Sequence, residues 1–125
     1  MTLNLSIIPG KDIIRTTVEG KVDLDFAKKT FAEIIATQNI SDDHAIIIDA
    51  RHTSSAMSTT DIWYLAAELD LMLRNRKRGA KAALLAPEND FEKALFLELC
   101  AKNRGLNLEA FTDFEEMTNW LLLET

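Results

Sequence analysis

Five residues in ten positions, Asp49, His52, Ser54, Ser55 and Ser58, supply the side-chain types of a hydrolytic site. Such chemistry needs a nucleophile within about 3 Å of a base, a third group that orients the base, and an oxyanion site. No G-x-S-x-G elbow presents any of these serines. His52 is expected in an exposed turn, and Asp49 is expected to close a strand or bond local backbone N–H groups. His44 and His52 with Asp42, Asp43 and Asp49 lack the compact spacing of a zinc or calcium motif, so no metal is expected. No glycine-rich loop follows a strand, which leaves NAD, FAD and P-loop nucleotides without support and implies no cofactor. Cys100 lies in an apolar helical stretch and reads as a small core or interface residue. A catalytic role is therefore not expected.

The elements around these residues follow from periodicity. Leu3, Leu5 and Ile7 alternate with polar residues, Pro9-Gly10-Lys11-Asp12 marks a turn, and Ile13–Val18 is rich in β-branched residues; together they predict a hairpin ended by Glu19-Gly20-Lys21. Asp23 caps a helix running to about Gln38, with Ala27, Phe31, Ile34 and Ile35 on one side. Asn39–Asp43 links that helix to Ala45-Ile46-Ile47-Ile48, an apolar run ending in Asp49 that predicts a strand covered on both faces. Six hydroxyl residues follow: Thr53, Ser54, Ser55, Ser58, Thr59 and Thr60. Ser58 and Asp61 stand in capping-box relation at the start of a second helix, which turns Ile62, Leu65, Ala66, Leu69 and Leu73 inward and stops at Arg76-Lys77-Arg78-Gly79. A short buried strand is predicted over Ala80–Ala86. A third helix, capped by Asn89 with Glu92, is predicted to reach Asn103-Arg104-Gly105. An outer strand over Leu106–Phe111 and a last helix capped by Asp113 with Glu116, with Phe114, Met117, Trp120 and Leu121 inward, complete the order β-β-α-β-α-β-α-β-α. The predicted fold is α/β: a mostly parallel five-stranded sheet with an antiparallel N-terminal edge strand and four helices, in a single domain spanning residues 1–125.

With 125 residues, one cysteine and no leader-like or membrane-length apolar stretch, the chain is expected to be cytoplasmic and without a membrane span. The net charge of -6 argues against nucleic-acid binding. Arg74, Arg76, Lys77, Arg78 and Lys81 place five of the 14 basic residues within eight positions, leaving nine against 20 acidic residues elsewhere. This cluster reads either as a solvated helix end or as a small anion contact.

The stretch I-I-I-D-A-R-x-T-S-S-x-M-S-T-T from Ile46, with the later A-A-L-L-A-P strand and the terminal L-E-A-F-T-D-F-E-E-M-T-N-W-L pattern, resembles STAS domains. The similarity is to the anti-sigma-factor-antagonist type, especially its divergent SpoIIAA-like relatives. The resemblance implies a switch: a serine in an Asp-Ser-Ser-Gly-like turn is phosphorylated by a partner kinase, which binds the unphosphorylated form. Laid on this chain, that turn falls on Met57, Ser58, Thr59 and Thr60, so Ser58 is the candidate switch residue and a kinase or anti-sigma factor the implied partner.

The second helix also carries Trp63, Tyr64, Ala67 and Leu71 opposite its inward stripe, a second apolar strip beside Thr59 that suggests a partner surface. The third helix adds Phe96, Leu97 and Cys100 to a face of Phe91, Ala94, Leu95 and Leu99. Self-association as a homodimer through these two helices is expected. The function read from the sequence is a non-enzymatic protein-binding or regulatory domain. Its alternatives are a carrier of a lipid or small hydrophobic ligand and, below that, a hydrolase.

Overall fold

The computed structural model describes residues 2–7, 13–36, 45–73 and 81–122. The expected turn at Pro9–Asp12, the link over Asn39–Asp43, His44, and the cluster residues Arg74, Arg76, Lys77 and Arg78 with Gly79 lie outside them.

One sheet runs in chain order through β1 (Thr2–Ile7), β2 (Ile13–Val22), β3 (Ala45–Ser55), β4 (Lys81–Leu85) and β5 (Asn107–Phe111). Strands β2 to β5 are parallel, and β1 pairs with β2 antiparallel. Parallel neighbours need a crossover, and three helices supply it: α1 (Leu24–Ala36), α2 (Thr59–Met72) and α3 (Phe91–Lys102). Crossovers of one hand between strands taken in order put their helices on the same side. Ile46 and Ile48 accordingly pack with Phe31, Ile34, Leu65, Leu69 and Leu97 of α1 to α3. Ile47, on the opposite face, packs with Ala83, Leu85 and Met117 of α4 (Phe114–Leu122). The unbroken isoleucine run of β3 is thus explained by burial on both faces.

The polar stretch after Asp49 is not a turn. β3 continues to Ser55 and β2 to Val22, pairing Glu19 with His52, Gly20 with Thr53, Lys21 with Ser54 and Val22 with Ser55. Ladder hydrogen bonds depend on the backbone and not on apolar side chains, so the pairing outlasts the hydrophobic pattern. A register shift between Thr17 and Glu19 re-aims both strands, and Gly20 takes φ 92° there, a conformation that costs glycine little.

Helix ends show which side chains compete for which donors. Asp23 Oδ1 accepts from Phe26 N at 2.8 Å and Asp113 Oδ2 from Glu116 N at 3.1 Å, as the spacing predicts. The Asn89–Glu92 box does not form; a 3-10 turn over Glu88–Asp90 precedes α3, whose N-cap is Asp90 with no side-chain cap. The carboxylate of Asp90 is used elsewhere, accepting from Ser55 N at 3.0 Å. Gly105, at φ 83°, ends α3 at the predicted stop.

The inward faces of α3 and α4 differ from the expected ones. Ala94, Leu97, Cys100 and Ala101 are buried, whereas Leu95 and Leu99 are exposed. Apolar residues lie on every side of α3, so periodicity cannot choose the face; contact with α2 and β5 does. On α4 only Met117 is fully buried, and Phe114, at the helix start, is exposed.

Candidate functional site

The site lies where β3 leaves the sheet and α2 begins. Ala56 N donates to Val22 O at 2.8 Å and Met57 N to Ser55 Oγ at 3.2 Å, which carries the chain to Ser58. Ser58 is the N-cap of α2, with φ -78° and ψ 170°. Its Oγ accepts from Asp61 N at 3.1 Å, and Asp61 Oδ2 accepts from Ser58 N at 3.0 Å, completing the box read from the sequence. Ser58 and Thr59 are both exposed. Replacing Ser58 by alanine is expected to lower stability by about 1 kcal/mol, measured by urea unfolding, since it removes a single N-cap acceptor.

The strip on α2 is displayed outward. Trp63 is 48% exposed, Tyr64 52% and Leu71 57%, with Ala67 half-buried between them. Trp63 and Tyr64 meet edge to face with ring centroids 5.3 Å apart. The guanidinium of Arg104, at the end of α3, lies 5.3 Å from the Trp63 centroid and pairs with Asp70 at 3.7 Å. Leu95 and Leu99 are exposed on the neighbouring helix α3.

Beside Ser55 and Met57, residues of β2 to β4 and helices α1 to α3 line an open cleft of about 100 Å³. Its lining is mostly aliphatic and aromatic, including Val18, Phe31, Met57, Leu65 and Leu97, with Asp90 and Lys93 also on its wall. Lys93 Nζ donates to Ser55 O at 3.1 Å, while Asp90 holds the N–H of the same residue.

On the other face of the sheet, Asp49 is 3% exposed. Arg51 donates to it from Nε at 3.0 Å, from a terminal nitrogen at 2.9 Å and from its backbone at 3.3 Å, and Arg15 donates at 2.8 Å. Burial alone pushes this carboxyl up, but the hydrogen bonds of Arg51 and then Arg15 outweigh it and hold the pKa at about 2. Both guanidiniums also lie over the Phe114 ring, at 5.5 and 5.8 Å from its centroid, which gives this exposed phenylalanine a place.

This arrangement takes the hydrolytic set apart. Asp49 is engaged by two arginines on one face of the sheet, His52 is exposed on the β3 extension, and Ser58 caps α2. Among the described residues no three His, Cys, Asp or Glu are grouped to hold a metal ion. Lys81, the one described member of the basic cluster, starts β4: its Nζ donates to Trp120 O at 2.6 Å and lies 5.1 Å from the Trp120 centroid. Asp90 and Lys93 were not singled out by sequence, because their link to Ser55 spans more than thirty positions. Asp49 carried a signal, as a lone carboxylate ending an apolar strand two residues before an arginine.

No family model matches the chain. No curated protein matches it in sequence. Among solved structures it is similar to an uncharacterized protein of the DUF3478 family with a SpoIIAA-like fold from Shewanella loihica PV-4. That match has 13% identity and a TM-score of 0.59 over 96% of this chain and 92% of the other. It is also similar to the anti-sigma factor antagonist SpoIIAA in its unphosphorylated form, at 14% identity and TM-score 0.52 over 98% of this chain and all of the other. The fold is therefore SpoIIAA-like. Among the described residues no helix is long and apolar enough to cross a membrane.

Proposed function

We propose that this SpoIIAA-like chain is a cytoplasmic protein-binding regulatory domain, one unit over residues 1–125, that performs no chemistry of its own. The observation that carries this reading is the exposed Trp63–Tyr64 pair, one helical turn beyond the exposed Ser58 cap. Aromatic residues displayed together on a rigid helix are the usual anchors of a protein interface. Ser58 is its control point: a phosphate there would sit at the helix N-terminus, where it is electrostatically tolerated, beside Asp61 and in the path of a partner approaching Trp63. The partner is of the kinase or anti-sigma-factor class, as the resemblance to STAS domains implies; the structural neighbour SpoIIAA, an anti-sigma factor antagonist, supports the anti-sigma-factor half of that reading. Leu95 and Leu99 on the neighbouring helix α3 provide for self-association.

Affinity capture from the native cells tests this with wild type, Trp63→Ala, Ser58→Ala and Ser58→Asp. A shared partner is expected on wild type and Ser58→Ala, at least tenfold depleted on Trp63→Ala and on Ser58→Asp. Equal recovery on all four proteins would remove the α2 surface from consideration. Sedimentation showing a monomer at tens of micromolar would remove the homodimer.

A further inference from the structure

β5 is the last strand of the sheet and is bonded to a neighbour, β4, on one side. In a parallel strand the N–H and C=O of one residue point the same way, and the direction alternates from residue to residue. Phe111 O accepts from Ala86 N, so Phe111 faces inward, and Leu108 and Ala110 face the outer edge. An edge of unmet N–H and C=O groups is a template for a strand of another chain. Here α3 covers it. Glu98 Oε1 accepts from Ala110 N at 2.8 Å, and just before the strand Leu106 N donates to Ala101 O at 3.0 Å. Lys102, one turn beyond Glu98, lies 3.7 Å from Glu98 Oε2 and donates to Glu109 Oε1 at 2.9 Å. Leu108 and Ala110 are buried.

We propose that Glu98 and Glu109 guard this edge, keeping β5 from pairing with the β5 of a second copy of the chain. Two copies related by a two-fold axis would pair the strands antiparallel. Leu108 of each would then bond Ala110 of the other, and residue 109 would face its own copy in the close, non-hydrogen-bonded position. Glu98 blocks this by taking the Ala110 N–H that the second strand needs. Glu109 blocks it by setting two like charges directly opposite each other, which destabilises a strand pair. The device belongs to the sheet edge and holds whether or not a protein binds the outward face of α2.

Sedimentation of the full chain tests this with wild type, Glu98→Ala/Glu109→Thr and Glu98→Gln/Glu109→Thr. The alanine double variant is expected to self-associate about tenfold more tightly than wild type, or more, having gained backbone bonds between the copies. The glutamine double variant should stay near wild type, because its side-chain carbonyl still accepts from Ala110 N. Glu98→Ala/Glu109→Cys should form a disulfide-linked dimer under mild oxidation, since residue 109 meets its own copy. Should the double variants not fold, hydrogen exchange in dilute solution decides: the Ala110 amide should exchange about tenfold faster in Glu98→Ala and at the wild-type rate in Glu98→Gln. An alanine variant that associates no more than wild type, a glutamine variant that associates as tightly as the alanine one, a dimer that does not cross-link at residue 109, or unchanged exchange at Ala110 would overturn the proposal.

Discussion

Asp49→Asn is expected to lower the unfolding free energy by about 2 kcal/mol at neutral pH and to flatten the acid limb of the stability profile. The carboxyl titrates at about 2 in the folded chain against an ordinary value of 3.8. A shift of that size corresponds to about 2 kcal/mol, present wherever the unfolded chain would also be ionised. The sign follows from the direction: a depressed folded pKa stabilises above the ordinary value, and that contribution is lost as pH falls from about 4 through about 2. Arg15 and Arg51 keep contact with solvent, with side chains 34% and 40% exposed, so the loss stays below the 3–5 kcal/mol typical when a fully buried ion pair loses one partner. Urea unfolding of both proteins between pH 2 and 7 checks this. A difference that does not shrink over the acid range would mean that Asp49 contributes by packing and not by charge.

Met117→Ala is expected to cost about 3 kcal/mol and to release α4 before the rest of the fold. Met117 is fully buried and is the only buried residue on α4, seated on Ile47, Ala83 and Leu85. Truncating a large core side chain removes its transfer free energy and leaves a cavity, typically 2–5 kcal/mol together. Trp120 and Leu121 pack at the margin of the same cluster and keep part of their contact, so the central value is the expected one. Hydrogen exchange should show the α4 amides opening well below the global unfolding free energy, while the β3 amides follow it. Equal protection of both would show that α4 is held by its flanking contacts.

The readable parts of this chain are those in which sequence-local physics acts. The Ser58–Asp61 box forms because both partners lie within one helical turn, and Asp23 and Asp113 cap for the same reason. The β3 core was legible from three consecutive isoleucines. Asp90 shows the limit: local spacing offered an Asn89 cap, and a strand end 35 residues away claimed the neighbouring carboxylate instead. Leu95 and Leu99 show another. An all-round apolar helix carries no directional information, so its buried face is set by the neighbours it meets.

From the sequence alone came the α/β element order, the resemblance to SpoIIAA-like domains, the Ser58 cap and the outward strip of Trp63, Tyr64 and Leu71. The element order, the cap and the strip rest on spacings of a few residues, where helix and strand periods translate directly into faces. The resemblance rests on the residue pattern from Ile46. Only the tertiary structure decided that the polar run after Asp49 continues the sheet, that Asp49 lies between Arg15 and Arg51, and that Asp90 and Lys93 meet at Ser55 on the wall of a cleft. Those outcomes depend on strand register and helix crossing, which bring together side chains tens of positions apart. A hydrogen bond or ion pair of that span leaves no period in the sequence, and its partners become known only when the sheet is assembled.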